Sequence, residues 1–416
     1  MQQNELELRL RNLVNNLKGH YKIKYQLPIE FYVGKDTEQL KKVIDDIAPF
    51  GKGVFFSKES KFESLNKRYQ KVLNGKGVKM INFVVEDYFA NTIENASGLF
   101  SLAEDVRFIL FSDLSLCDIA SYFAHFRKIP VIFIPESLNF ANAFSSVIPL
   151  INGDKIDEVK VKPTRHVIID RELIGSTDAC ECYADLVSLL PLLADYRINC
   201  SLANVKPNGF IYDLLKECLT LGYKAINLNK NARDLTFLYL AVQKAVVEGN
   251  SLDGLRSLSS VNNALWMLSA MNKESVGYKM QVVIDIVNLY SVCFEKGNLL
   301  QVPNYNDRVE AMALIFNMPE DQFISYMNYQ TSVMAGKTEK IDKLKKQLNV
   351  EYKNAPSTYA KIYKNYLSLG GVKATSSDFT KVFNAVKFAG DCARKVNGMA
   401  LVRESGMLER YMNEQN

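Results

Sequence analysis

The chain is poor in the side chains that usually build metal and redox sites. Its 416 residues include three histidines, His20, His125 and His166, so few places exist where imidazoles could gather around a cation. The seven cysteines (Cys117, Cys180, Cys182, Cys200, Cys218, Cys293 and Cys392) are odd in number, and none forms a CxxC pair of metal-binding spacing. They read as buried thiols of a reducing compartment, and Cys180 and Cys182 stand too close for an ordinary disulfide. No run of ~18 apolar residues occurs, which argues against a membrane span. Between Met1 and Lys18, Glu5, Glu7, Arg9 and Arg11 interrupt the leucines, so no apolar core of a signal peptide is present and a cytoplasmic protein is expected. The 51 Lys and Arg against 46 Asp and Glu leave a thin net charge of +5. The densest basic stretch, Lys337–Lys346, is broken by Glu339, Ile341, Asp342 and Leu344 and reads as a solvated helix face, so no nucleic-acid partner is expected.

What is present is an ordinary globular composition, 48% hydrophobic and 23% charged, long enough for two or three domains at about 150 residues each. In the first half, strand-like runs (Ile29–Val33, Val54–Ser57, Met80–Val85, Phe108–Phe111, Pro130–Ile134) alternate with helical patterns at Thr37–Ile47, Glu59–Leu73 and Leu116–Phe126. Val131-Ile132-Phe133-Ile134 is apolar on both faces, as a strand inside a parallel sheet must be. After Val167-Ile168-Ile169-Asp170 the apolar period changes from two to 3.6: Leu186, Leu189, Leu190 and Leu193, then Leu214, Leu215, Cys218 and Leu221, then Leu235, Leu238, Tyr239, Val242 and Val246. Pro207, Pro303, Pro319 and Pro356 fall at helix starts or in loops, and Gly370-Gly371 marks a break. The expected layout is an N-terminal helix over 1–19, a doubly wound Rossmann-like α/β domain over 20–175 and an all-helical domain over 176–416.

In a doubly wound domain ligands bind beyond the carboxyl ends of the strands, and the turns there carry a resemblance. Ser112-Asp113-Leu114 leads to Asp118-Ile119-Ala120 and a helix. Then come Arg127-Lys128-Ile129-Pro130, a strand, Pro135, a polar loop and a strand ending Ile168-Ile169-Asp170-Arg171-Glu172-Leu173. With Tyr183-Ala184-Asp185-Leu186-Val187 following, this order resembles the iron-containing alcohol dehydrogenase and dehydroquinate synthase superfamily, most of all its glycerol-1-phosphate dehydrogenase branch. The resemblance spans roughly residues 25–400. It implies a dinucleotide domain followed by a helical domain, with the site in the cleft between them.

Carried over residue by residue, that chemistry is mostly missing. Ser112, Asp113 and Leu114 replace the glycines that let backbone N–H groups reach a pyrophosphate, and Asp113 adds negative charge where an anion should sit. Asp118 is retained, the Lys expected three positions later is Ser121, and Ser137 falls in the polar substrate loop. Ser112, Asp118 and Ser137 are therefore the positional equivalents of a cofactor site. Asp185 matches the first metal ligand, but the two histidines that should follow correspond to Asn263 and Tyr278, so no metal site is expected. Each of these residues also has a bland reading: Asp118 as a helix cap, Asp185 as a solvated carboxylate, Asn263 and Tyr278 as satisfied polar groups, His125 as a structural histidine. The resemblance would bring Asp185, Asn263 and Tyr278 together in the cleft, with Trp266, the sole tryptophan, largely buried nearby.

Two classes of function follow. In the first the protein is a degenerate member of the superfamily, a pseudoenzyme or binding and assembly protein without cofactor, whose partner is a small molecule or another protein; a homo-oligomer is compatible with this. In the second it is an NAD(P)-linked oxidoreductase of a small polyol phosphate, with or without a divalent metal. A variant of the second keeps the cleft but runs a metal-independent reaction on Asp185, Tyr278, Lys279 or Glu274. The residues favour the first, since fold alone does not carry function.

Overall fold

A computed structural model of the chain describes residues 3–20, 29–47, 51–87, 90–102, 105–141, 143–153, 155–174, 179–251, 254–272, 278–296 and 305–408. Pro303, Glu274 and Gly277 lie outside the described residues. The chain divides into two compact units, one made of 1–178 with 228–251 and the other of 179–227 with 252–416. Helical periodicity in Leu235 to Val246 identified the helix Lys230–Gly249 but not the unit it joins. It packs with the N-terminal helix Gln3–His20 in the first unit, so a single cut at 175 does not describe the division.

The first unit holds a six-stranded parallel sheet. Its strands are β1 (Ile29–Val33), β2 (Lys52–Lys58), β3 (Lys79–Val85), β4 (Val106–Phe111), β5 (Val131–Phe133) and β8 (Arg165–Ile169), in the order β1-β8-β5-β4-β2-β3. β5 is buried on every residue and lies between β4 and β8, which explains its continuous apolar run. The crossovers carry the helices Asp36–Ile47, Glu59–Asn74, Ile93–Phe100 and Cys117–Arg127. Leu40, Val43 and Ile44 from the first and Leu65, Tyr69, Val72 and Leu73 from the second join Phe55, Phe108, Leu110, Ile132 and Ile168 in one core. The segment read as a polar loop contains an antiparallel hairpin, β6 (Val147–Asn152) with β7 (Lys155–Lys160). Its first strand alternates half-buried and buried residues, with Pro149 opposite Glu158. A proline inside so short a run disguises the strand.

The second unit is helical. Lys279–Lys296 is its centre, packed by the helices Ala179–Val187, Leu189–Leu202, Ser260–Asn272, Thr338–Tyr352, Ala355–Ser368, Ser376–Lys387 and Gly398–Glu404. The apolar face read through Leu186, Leu189, Leu190 and Leu193 runs across two helices that break at Ser188. Pro191 accounts for the break, since it has no N–H to give the carbonyl of Val187. Tyr359 supplies the missing donor, its hydroxyl 2.6 Å from that oxygen.

Two buried carboxylates tie helices of this unit together. Asp195, fully buried, accepts from Ser260 N (2.8 Å), Ser260 Oγ (3.1 Å), Tyr290 Oη (2.5 Å) and Gly398 N (2.8 Å), so one side chain caps two helix starts. A Cβ on Gly398 would stand 2.2 Å from Tyr290 Cζ, and only glycine lets that N–H approach. Asp391, also fully buried, receives Arg308 Nε at 2.8 Å and Arg403 Nη1 at 2.7 Å. The cysteines are free thiols, six buried and Cys180 half-buried. No described helix is long and apolar enough to cross a membrane.

Candidate functional site

The carboxyl edge of the sheet is where a doubly wound domain receives a ligand. β4 ends at Phe111, and the turn behind it folds on its own side chains. Asp113 accepts from Ser115 N at 2.9 Å and Ser115 Oγ at 2.8 Å, and it pairs with Lys58, from the end of β2, at 3.2 Å. Burial alone would push its carboxyl up. The two Ser115 bonds and Lys58 outweigh this and hold it below the ordinary carboxylate range. The carboxylate thus takes the N–H group and the cation that an incoming phosphate would need. Beside it Lys61 pairs with Glu136 and Ser60 Oγ donates to Asp87 at 2.6 Å.

The positional equivalents of the cofactor site behave differently from one another. Ser112 is buried, and its Oγ has no hydrogen-bond partner among the described residues. Asp118 is buried in the first turn of Cys117–Arg127, where the helix dipole favours it, and accepts from Asn91 Nδ2 at 3.3 Å. Leu116, not Asp118, holds the cap position, so the capping reading is corrected. Ser121 Oγ accepts from the fully buried Arg165 at 2.6 Å. Ser137 accepts from Asn139 N at 3.3 Å, a local turn bond. His125 accepts from Lys162 N at its Nδ1, 3.1 Å away, and burial lowers its pKa, so it serves structure as a neutral ring.

In the second unit, Asp185 on Ala179–Val187 is half-buried, and Lys279 Nζ lies 3.3 Å from its Oδ1. Lys279 opens the central helix, directly after Tyr278, whose hydroxyl turns to Asp378 Oδ1 at 3.0 Å. Asn263 is buried and its Nδ2 donates to the Ser257 carbonyl at 3.3 Å. Asp185 and the neighbourhood of Tyr278 therefore meet, while the side chains of Tyr278 and Asn263 are engaged elsewhere. Trp266, expected to be largely buried, is half-buried, its ring 4.2 Å from that of Phe316. It sits on the less enclosed side of Ser260–Asn272, whereas Asn263, Ala264, Met267 and Leu268 take the buried side.

These residues do not fit a divalent metal. The carboxylate has an ammonium ion beside it, the second position offers a neutral amide and the third a phenol. A dication about 4 Å from Lys279 would meet a repulsion of several kcal/mol at the effective dielectric of a protein site. Among the described residues no group of three or more His, Cys, Asp or Glu is placed to hold a metal ion. Nor does the turn after β4 fit a pyrophosphate, since Asp113 stands in it. What the second site does offer is a partly exposed Lys–Asp pair.

Sequence reading missed the partners. Lys58 stands at the end of a strand, the one available signal, but its pairing with Asp113 bridges two crossovers. It also missed a knot between β1 and β8. There Asp36, fully buried, accepts from Arg68 Nε at 2.5 Å and Tyr69 Oη at 2.8 Å, and its own N–H donates to Asp170 at 3.0 Å.

No protein-family model matches the chain, and no curated protein matches it by sequence. Solved structures do resemble it. Glycerol dehydrogenase from Schizosaccharomyces pombe is 13% identical at a TM-score of 0.53, over 94% of this chain and 91% of that one. Maleylacetate reductase from Rhizobium sp. strain MTP-10005 is 11% identical at a TM-score of 0.52, over 93% and 97%. At such identity the likeness speaks for the fold alone: an α/β domain and a helical domain, as in those two solved structures.

Proposed function

We propose that this chain keeps the dehydrogenase scaffold without the dehydrogenase reaction, and acts as a binding or assembly protein. The observation that carries the reading is the Lys279–Asp185 pair at 3.3 Å, an internal cation standing where the resemblance puts a metal ion. Asp113 supports it from the other unit, an internal carboxylate standing where the resemblance puts a phosphate. Hydride transfer in this scaffold needs a bound nucleotide and a group that polarises the carbinol or carbonyl oxygen. Each of those two places carries a charge of this chain's own, already paired.

Nucleotide binding tests the proposal. Titration calorimetry is expected to find NAD(H) and NADP(H) no tighter than about millimolar, roughly −4 kcal/mol. Asp113→Gly, which removes the occupying charge and opens the backbone, should tighten binding by at least about tenfold. Micromolar binding by the unaltered chain, with reduction of NAD(P) by a small polyol phosphate, would establish the oxidoreductase reading instead.

A further inference from the structure

The parallel sheet has two edges, and the chain treats them differently. Along β1 runs the helix Gln3–His20. Along β3 no other strand pairs on the outer side among the described residues. Lys79 N donates to Gly51 O, and the ladder with β2 is in register from Lys52 opposite Lys79. Backbone groups of a parallel strand alternate between its two sides. Lys79, Ile81, Phe83 and Val85 therefore turn theirs to β2, and Met80, Asn82 and Val84 hold their N–H and C=O groups away from the sheet.

Native edges are usually blunted by proline, an inner lysine or a bulge. Lys79-Met80-Ile81-Asn82-Phe83-Val84-Val85 has no proline, no charge after its first residue and no irregularity in its ladder. Asn82 is exposed and Val84 is 38% exposed. The charges lie at the two ends, Lys79 at the start and Glu86-Asp87 just past the finish, all exposed. An antiparallel copy of this segment centred on Phe83 would set Lys79 opposite Asp87, twice by symmetry. It would also set Asn82 opposite Val84, whose backbone groups are the outward ones. Register, free backbone and charge agree on one alignment.

We propose that this edge joins two copies of the chain, β3 pairing antiparallel with β3 of a second copy about a two-fold axis at Phe83. The contact is isologous and consumes both free edges, so it closes at a dimer. It continues the sheet through main-chain hydrogen bonds, with the end charges fixing the register.

Sedimentation velocity on the full chain tests it. The unaltered protein should be dimeric at micromolar concentration. Asn82→Pro removes an outward N–H and leaves the β2 ladder its own donors, so the fold should persist while the dimer weakens by at least about tenfold. Lys79→Asp and Asp87→Lys should each weaken the dimer alone, by like charges across the axis, and an equimolar mixture of the two should restore it. Asp87 also accepts from Ser60, so circular dichroism checks each variant, and Asn82→Pro decides alone if Asp87→Lys does not fold. A monomer throughout the micromolar range, a dimer indifferent to Asn82→Pro, or folded charge variants whose mixture stays apart would overturn the proposal.

Discussion

Asp391→Ala is expected to cost the helical unit about 3–5 kcal/mol, the loss typical when one member of a buried charge network is removed. The carboxylate is fully buried, and so, nearly, are the two guanidinium groups it neutralises, Arg308 at 7% and Arg403 at 1% exposure. Arg403 retains Glu404 at 2.8 Å, and Arg308 retains the Lys387 carbonyl at 2.7 Å, but the shared anion is gone. The effect comes from taking the shared anion away from two buried guanidinium groups, rather than from the attraction between partners, which the initial cost of burial largely offsets. Because Gln330 Nε2 holds the Gly390 and Ala393 carbonyls on either side, the segment around Asp391 cannot swing out to hydrate those cations cheaply. Urea unfolding followed by Trp266, which lies in the same unit, should show a midpoint lowered by roughly 1 M or more. A shift of a few tenths molar would mean that the network is hydrated and carries little.

Asp285→Asn should do the reverse and stabilise the same unit at alkaline pH. Asp285 is 9% exposed, and Gln281 Nε2 donates to its Oδ1 at 2.8 Å. Burial pushes its pKa up to about 7, with the Gln281 bond pulling weakly the other way. Between the ordinary value of 3.8 and about 7 the folded chain therefore holds a proton that the unfolded chain has released. Stability from this group is complete below that window and falls as pH rises through it, by about 1.4 kcal/mol per unit. Asparagine stays neutral and keeps an oxygen for Gln281. The variant should match the parent at pH 4 and exceed it by roughly 2–4 kcal/mol at pH 8. Asp195, also pushed up to about 7 by burial, is not a clean substitute, because an amide there would turn N–H groups against the donors of Ser260, Tyr290 and Gly398. His166 and His125, lowered by burial, act oppositely by losing stability as pH falls below about 6.5, but they belong to the first unit. Equal stabilities of parent and variant at both pH values would show that Asp285 is ionised at little cost.

What the sequence reveals depends on whether the decisive physics is local. Val131-Ile132-Phe133 announces a central strand because burial on both faces leaves no polar position, and its place between β4 and β8 agrees. Glu59–Asn74 likewise follows from one apolar stripe. The helix Ile93–Phe100 is hidden by its shortness and by Gly98, although Thr92 caps it by accepting from Asn95 N. At the candidate site, the departures from a metal and phosphate pattern at Ser112, Asp113, Asn263 and Tyr278 are visible as residue types. What compensates them is not. Lys279 reaches Asp185 across 94 positions of chain, and Lys58 reaches Asp113 from another strand. Such pairings are set by helix packing and strand order, which no local period encodes.

Elemental analysis of the full chain, expressed with added iron and zinc and purified by ordinary dialysis, tests the central claim most directly. With an ammonium ion beside Asp185 and no imidazole at residues 263 or 278, each metal should be found well below one ion per chain, and chelator should leave the unfolding transition where it was. One iron or zinc ion per chain, retained through dialysis and lost in Asp185→Ala, would contradict the account.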